Sequence, residues 1–261
     1  MLRPRIIPCL LVHKGGLVKT KNFKDPKYVG DPINAVRIFN EKEADELMVL
    51  DIDATRNCVP PDFALIAKLA AECRMPLCYG GGVTTAEQAA RIIDMGVEKV
   101  SVSAAAITNP SFLTKIAATV GRQSVVAVLD VRKRTGLFAK GYELSTHNGR
   151  VIYKLDPVDV ALQLQEAGAG EIVVNSVDRD GMMQGYDIEL ASQFKQTLKV
   201  PLTFLGGAGS LDHIGELVSK LGVVGAAAGS LFVFKGKYRA VLINYPTPAQ
   251  KKQLCSSALQ R

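Results

Sequence analysis

The sequence predicts an α/β chain folded as one (β/α)8 TIM barrel made of two half-barrels. Three observations carry this expectation. Eight short apolar runs alternate with longer amphipathic ones, the chain repeats itself at a near-constant spacing, and glycine-rich turns follow several of the runs. A length of 261 residues suits a single barrel of this class.

The strand candidates, short aliphatic runs bounded by Gly, Pro, Asn or Asp, are Arg5 to Val12, Glu46 to Asp51, Pro76 to Tyr79 and Lys99 to Val102 in the first half. Ser124 to Asp130, Glu171 to Asn175, Pro201 to Leu205 and Val224 to Ala228 follow in the second. Helical periodicity fills the intervals at Pro32 to Lys42, Phe63 to Cys73, Thr85 to Met95 and Pro110 to Val120, then at Pro157 to Ala167, Ile188 to Thr197 and Leu211 to Leu221. Asp31-Pro32, Asn109-Pro110 and Asp156-Pro157 each read as an N-cap followed by a proline at the first helical position. Glu46-Leu-Met-Val-Leu-Asp aligns with Glu171-Ile-Val-Val-Asn-Ser, and Gly81-Gly82 with Gly206-Gly207, at a common offset of 125 (171 against 46, 206 against 81). The first and fifth strands align at 119. Neither half could close its sheet alone, so the expected organisation is one domain over residues 1–261. Its half-barrels fall at about 1–121 and 122–245, with a tail over 246–261 in which Pro248 to Ala258 reads as a terminal helix.

Composition narrows the function. Lys and Arg number 32 against 25 Asp and Glu, a net charge of +7, with 48% hydrophobic and 22% charged residues, which excludes disordered and collagen-like chains. No apolar run approaches the roughly 18 residues of a membrane span. The early run Ile6 to Val12 carries Pro8 and lacks a cleavage site, so neither membrane insertion nor a signal peptide is expected. Five cysteines without a CxxC pair predict reduced thiols in the cytoplasm, and no metal or cofactor. A sequence pI of about 9.1 raises the question of nucleic acid. With 6% aromatics, no Trp and no arginine-rich tract, small anionic substrates fit better.

Barrel enzymes carry their chemistry beyond the C-terminal ends of the strands. Gly80-Gly81-Gly82, Gly206-Gly207-Ala208-Gly209-Ser210 and Ala227-Ala228-Gly229-Ser230 follow the third, seventh and eighth strands there. Backbone N–H groups in such turns cradle anions. A single turn needs only tight geometry to explain it, but two related by the repeat point to a substrate phosphorylated at both ends. Acidic stretches end the second strand, Asp51-Ile-Asp53, and the sixth, Asp178-Arg-Asp180-Gly181, while the fifth ends in Asp130. Asp130 is the candidate general acid or base. Its repeat mate, 119 positions earlier, is Leu11.

Together Arg5-Ile-Ile-Pro-Cys-Leu, Ala44-Asp-Glu-Leu, Gly80-Gly-Gly, Lys99-Val-Ser, Gly168-Ala-Gly-Glu-Ile, Asp178-Arg-Asp-Gly and Leu205-Gly-Gly-Ala-Gly resemble the cyclase subunit (HisF-like) of imidazole glycerol phosphate synthase, from about Arg5 to Phe234. The resemblance implies a barrel of the ribulose-phosphate-binding type. It implies a carbon–nitrogen lyase of histidine biosynthesis whose glutaminase partner (HisH-like) sends ammonia through the barrel to a bisphosphorylated ribulosyl substrate. Two aspartates, ending strands one and five, close the imidazole ring. Here Leu11 replaces the first and has no proton to exchange, so cyclisation by this chain is expected to be weak or absent. Ser103 and Asn175 mark altered strand ends, while Lys19, Asp51, Asp130, Asp178 and Asp180 match the family. With Gly81, Gly82, Gly181, Gly206, Gly207, Gly229 and Ser230 they complete the expected substrate and phosphate contacts.

At the opposite face Arg5, Glu46, Lys99 and Glu171 open their strands at inward register, two of each sign, and a salt-bridge ring across the floor is expected. In the resembling family these positions gate ammonia. Cys9, Cys78 and Ser101 place small side chains above them. The glutaminase is expected to dock on this face beside Glu98. Pro8-Cys-Leu-Leu and the run Gly229-Ser-Leu-Phe-Val-Phe-Lys-Gly-Lys-Tyr-Arg-Ala further resemble a subgroup of surface-polysaccharide acetamidino-sugar synthesis, in which a separate amidotransferase takes the ammonia. Two alternatives stand beside this one: an active cyclase, and a non-catalytic bisphosphate-binding scaffold.

Overall fold

The structure is a computed structural model that describes residues 3–136 and 139–256. Eight parallel strands form its centre: β1 (Arg5–His13), β2 (Leu47–Asp51), β3 (Leu77–Gly80), β4 (Lys99–Val102), β5 (Val125–Lys133), β6 (Glu171–Ser176), β7 (Leu202–Leu205) and β8 (Gly225–Ala228). Each pairs with the next, β8 pairs with β1, and the sheet closes into a (β/α)8 barrel. Closure is dictated by the residues: both faces of these strands are apolar, so an open edge would leave unpaired backbone and greasy side chains in water. Along β1, Ile6, Leu10 and Val12 join the outer core under the helices, while Ile7 and Cys9 point into the barrel. Helices α1 (Pro32–Glu41), α2 (Phe63–Glu72), α3 (Ala86–Asp94), α4 (Ser111–Val120), α5 (Pro157–Glu166), α6 (Ile188–Thr197) and α7 (Leu211–Leu221) cover the outside with residues such as Phe39, Leu69, Ile92, Ile116, Leu164, Phe194 and Leu217.

Their starts follow local chemistry. Asp31 accepts from Asn34 N at 2.9 Å, Asp156 from Val158 N at 2.8 Å, and Thr85 forms a capping box with Gln88. Asn109 departs from expectation. It terminates a one-turn helix, Ala104–Thr108, its side chain accepts from Ser111 Oγ at 2.7 Å, and Pro110 takes the cap position of α4 without a side-chain bond. The preceding turn has already claimed Asn109, so it cannot cap the next helix.

Two hairpins were not foreseen. Gly16–Lys21 pairs with Lys24–Gly30 above β1, and Tyr142–Thr146 with Val151–Tyr153 above β5. In the first, Pro26 and a run of lysines hide the strand pattern; Pro26 is tolerated because Lys24–Gly30 is an edge strand. The eighth unit also differs from the others. After β8 a single turn, Ser230–Val233, passes to a small ribbon, Phe234–Lys235 with Ala240–Val241, and an extended segment carries the chain to α8 (Pro248–Ser256). The expected terminal helix thus exists as far as Ser256, and its expected end at Ala258 lies outside the described residues.

Tyr245 fastens this segment. Its ring lies edge-on to Phe39 and tilted against Phe232, and its hydroxyl donates to Ile6 O at 2.7 Å while accepting from Asp45 N at 3.0 Å. Lys251 on α8 reaches Asp45 Oδ1 at 2.9 Å. Tyr245→Phe keeps the packing but strands one acceptor and one donor beside the floor. A loss of about 1–3 kcal/mol is expected in denaturant unfolding. An unchanged midpoint would show that water replaces both bonds.

Candidate functional site

The floor is built first. Glu46, the residue before β2, and Glu171, the first of β6, are 3% and 4% exposed, and neither could stay ionised there alone. Arg5 bonds the Glu46 carboxylate and reaches Glu171 Oε1 at 2.8 Å; Lys99 Nζ bonds Glu46 Oε1 at 2.8 Å and Glu171 Oε2 at 2.9 Å. The four charges make a closed alternating ring. Thr203 Oγ1, which the sequence reading missed, adds a bond to Glu171 Oε1 at 2.6 Å. Its inward register on β7, two residues before Leu205, was the available signal. Burial opposes ionisation of Glu171, yet Arg5 and Lys99 outweigh it and hold the carboxyl below its ordinary range. Lys99 is likewise raised, because Glu171 and Glu46 overcome its desolvation. Glu98 is exposed beside the ring.

Above the ring the interior is packed. Cys9 and Cys78 point inward as expected, but Ile7, Met48, Val126 and Val173 share the space and all are buried. Ser101 is buried there too, with its hydroxyl beside the Cys78 thiol.

The mouth carries two unequal cavities. One, of about 640 Å³, is lined by Leu11, Leu50, Asp51, Gly81, Gly82, Ser103, Asp130 and Asn175. Arg56, His147 and Asn148, on loops without a sequence signal, complete its rim. The other, of about 40 Å³, is lined by Lys19, Asp180, Gly181, Gly206, Gly207, Gly229 and Ser230, with Leu11, Phe23, Leu50 and Asn175 shared between them. On both sides the glycines let a neighbouring loop approach closely. At Gly82 (φ +73°) an added Cβ would press on Val59 O and Ala54 Cβ, and Thr55 Oγ1 accepts from its N–H at 3.3 Å. Gly207 (φ +105°) lies under Gly185, whose N–H donates to Gly207 O at 2.8 Å, so the loop after β6 closes over the second turn.

Lys19, 6% exposed on the hairpin above β1, bonds Cys9 O and fills the space beside Gly229; burial pulls its pKa down. Asp180 accepts from Thr20 Oγ1 at 2.8 Å and is pushed up by burial. Asp51 caps its own turn, accepting from Asp53 N at 2.9 Å. Asp178 is exposed, accepts from Lys133 N at 2.7 Å and lines neither cavity, so the fold does not bring it to the others. Asp130 sits at the bottom of the large cavity, where Asn175 Nδ2 donates to it at 2.8 Å. Burial pushes its carboxyl up to about 7, Asn175 pulls it down, and Asp180 adds to the rise. Leu11 presents only methyl groups to the same cavity.

Comparisons with known proteins place this barrel in a family. A family model described as histidine biosynthesis protein matches residues 5–239. The chain belongs to the HisF-like histidine biosynthesis family. Within it, a protein of Vibrio vulnificus provisionally named imidazole glycerol phosphate synthase subunit hisF3 is 58% identical over 97% of this chain and 96% of its own. A Pseudomonas aeruginosa protein provisionally named subunit hisF2 is 52% identical over 94% and 97%. The imidazole glycerol phosphate synthase subunit HisF of Clostridium botulinum is 37% identical over 90% and 92%.

The HisF-like mouth generates a stability test. Asp130 titrates near 7 in the folded chain against roughly 3.9 when unfolded, so ionising it weakens the fold as pH rises between those values. Asp130→Asn removes that penalty while leaving an acceptor for Asn175. The melting temperature of the variant should exceed that of the parent at about pH 8, by the equivalent of roughly 1–3 kcal/mol, with little difference at about pH 3. A constant difference at both would mean that Asp130 does not titrate in this window.

Proposed function

We propose that this chain is a HisF-like barrel that takes ammonia from a glutaminase docked on its floor and releases it at the mouth to an acceptor held by a separate amidotransferase, in acetamidino-sugar synthesis. The observation that carries the reading is the pairing of a complete floor ring with Leu11 opposite Asp130. Ring closure needs a proton taken and a proton given, and positioned groups contribute typically about 10²- to 10⁴-fold each. A leucine supplies neither. The ring, by contrast, keeps four charges at an inward position that a scaffold would fill with aliphatics.

In this reading Glu98 and the exposed edge of the ring meet the glutaminase, and Arg5, Glu46, Lys99 and Glu171 part to admit ammonia. The small side chains Cys9, Cys78 and Ser101 yield to it by side-chain motion, since the interior is packed at rest. Lys19 and the turns at Gly206-Gly207 and Gly229-Ser230 give the mouth an anion site, and Gly81, Gly82 and Ser103 border the wider space at which the amidotransferase presents the acceptor. Asp51, Asp178, Asp180 and Gly181 shape the loops around it. The relatives' names, which describe subunits of a synthase, support assembly with a partner. They also favour a second reading, an active cyclase that works with Asp130 alone.

The test uses the chain reconstituted with glutaminase and amidotransferase. With the ribulosyl substrate and excess ammonia, cyclisation should stay at background. Amination of the acceptor should proceed from glutamine and from free ammonia alike. Lys99→Ala leaves two buried carboxylates short of a partner, at a cost of up to about 3–5 kcal/mol, reduced here because the Lys99 side chain is 17% exposed. It should impair the glutamine reaction and spare the ammonia reaction. Robust cyclisation by the unmodified chain would establish the second reading, and equal losses with both nitrogen sources would remove the gate from the account.

A further inference from the structure

We propose that the hairpin above β5 and the loop beyond β2 form a docking surface at the mouth, and that it seats the amidotransferase through an apolar patch ringed by carboxylates on that partner. Nine large apolar side chains are exposed among the described residues. Four of them belong to these two segments: Val59 at 46%, Val151 at 40%, Ile152 at 45% and Leu155 at 47%. Val151 and Ile152 are successive residues of a strand that pairs with Tyr142–Thr146 on one side and, among the described residues, with nothing on the other. Alternation along a strand ordinarily turns one of two such neighbours inward. Exposure of both, beside an unpaired edge, leaves apolar surface and backbone groups that a partner can cover.

The two segments are joined into one rim. Asn148 Nδ2, in the hairpin turn, donates to Ile52 O at 3.0 Å, at the start of the loop that carries Arg56 and Val59. His147, Asn148, Arg56 and Val59 all line the large cavity, and Leu155 lies at the same face, one residue before the Asp156 cap of α5. A partner seated on both segments therefore covers the opening that leads to Leu11 and Asp130. Charge sets the chemistry of that partner. From Arg132 to Lys154 the chain has six basic residues against Glu143 alone, and Arg132 holds Glu143 at 3.4 Å. Lys133, Arg134, Lys140, Arg150 and Lys154 are exposed and make no ion pair among the described residues. Asp156, the next acid, is spent on Val158 N and Asp159 N. Basic side chains alone would be the usual guard of a solitary edge strand. An apolar centre inside a rim of one sign is instead the anatomy of a protein interface, and it complements carboxylates. A bilayer laid on the same patch would block the cavity and leave no place for an acceptor.

This inference deepens the delivery reading and rests on it for the identity of the partner. The experiment measures the Kd of the full chain for the amidotransferase and, separately, for the glutaminase, at several salt concentrations. Arg150→Glu combined with Lys154→Glu, and Ile152→Asp alone, should each weaken amidotransferase binding by about tenfold or more while leaving the affinity for glutaminase and the melting temperature unchanged. Lys235→Glu combined with Lys237→Glu makes the same change of charge on the exposed terminal ribbon, which lines neither cavity, and should leave both affinities as they are. Binding by the unmodified chain should weaken as salt rises. Amidotransferase affinity untouched by the hairpin variants would overturn the proposal, and so would an equal loss in the ribbon variant, which would reduce the effect to net charge. Self-association of the chain that Ile152→Asp abolishes would assign the patch to a second copy. Sedimentation with phosphatidylglycerol vesicles that depends on Ile152 would assign it to a membrane; either result overturns the proposal. An unmodified chain that binds no amidotransferase at all would instead remove the delivery reading itself.

Discussion

A closed sheet of eight strands forces the lowest inward side chains of alternate strands into one small layer, and here that layer holds Glu46, Lys99, Glu171 and Gly225. Charges of both signs in so narrow a space must pair or be neutralised. At Gly225 an added Cβ would collide with Thr203 Oγ1 and crowd Ile7, and Arg5, its register partner on β1, supplies the fourth charge. The pairing satisfies every carboxylate and fixes the strand ends that carry them. Buried ion pairs contribute little net stability against an apolar alternative, and in the proposed reading these four charges serve a floor that opens and closes.

The same inward register, followed upward, gives the mouth its character. Stepping by two from Arg5 leads through Ile7 and Cys9 to Leu11, and from Glu171 through Val173 to Asn175. Asp130 therefore faces an apolar wall on one side and an amide on the other. Its raised pKa follows from that asymmetry: the environment disfavours the ionised form and offers only one hydrogen bond in return. The two glycine turns are each packed under a loop, the first under Ala54 and Val59 from beyond β2 and the second under Gly185 from beyond β6, yet the first borders the wide cavity and the second the small one.

Much of this was legible in the sequence because it follows from periodicity. The eight strands lie within two or three residues of expectation, and the ring residues fall together because inward register is a property of counting by two. What escaped has physical causes. The hairpin at Lys24–Gly30 hides behind Pro26 and its lysines, and Asn109 caps nothing because another turn ends on it. His147 and Asn148 reach the large cavity from a loop whose course depends on a strand pairing that no local pattern announces. The inequality of the cavities was equally hidden: glycines permit a close approach without saying what approaches. Asp178 matched the family motif yet anchors Lys133, since a motif records residue identity and not the direction of a carboxylate.

In the proposed reading, nitrogen released from glutamine reaches the acceptor by way of the floor without first entering bulk solvent. That route is tested most directly by giving the reconstituted complex isotope-labelled glutamine amide nitrogen in the presence of excess unlabelled ammonium, and measuring the label in the aminated product. The account requires product nitrogen enriched in the glutamine label well above the bulk ratio, with the enrichment falling toward that ratio when Lys99 is replaced by alanine. Label diluted to the bulk ratio by the unmodified complex would contradict it.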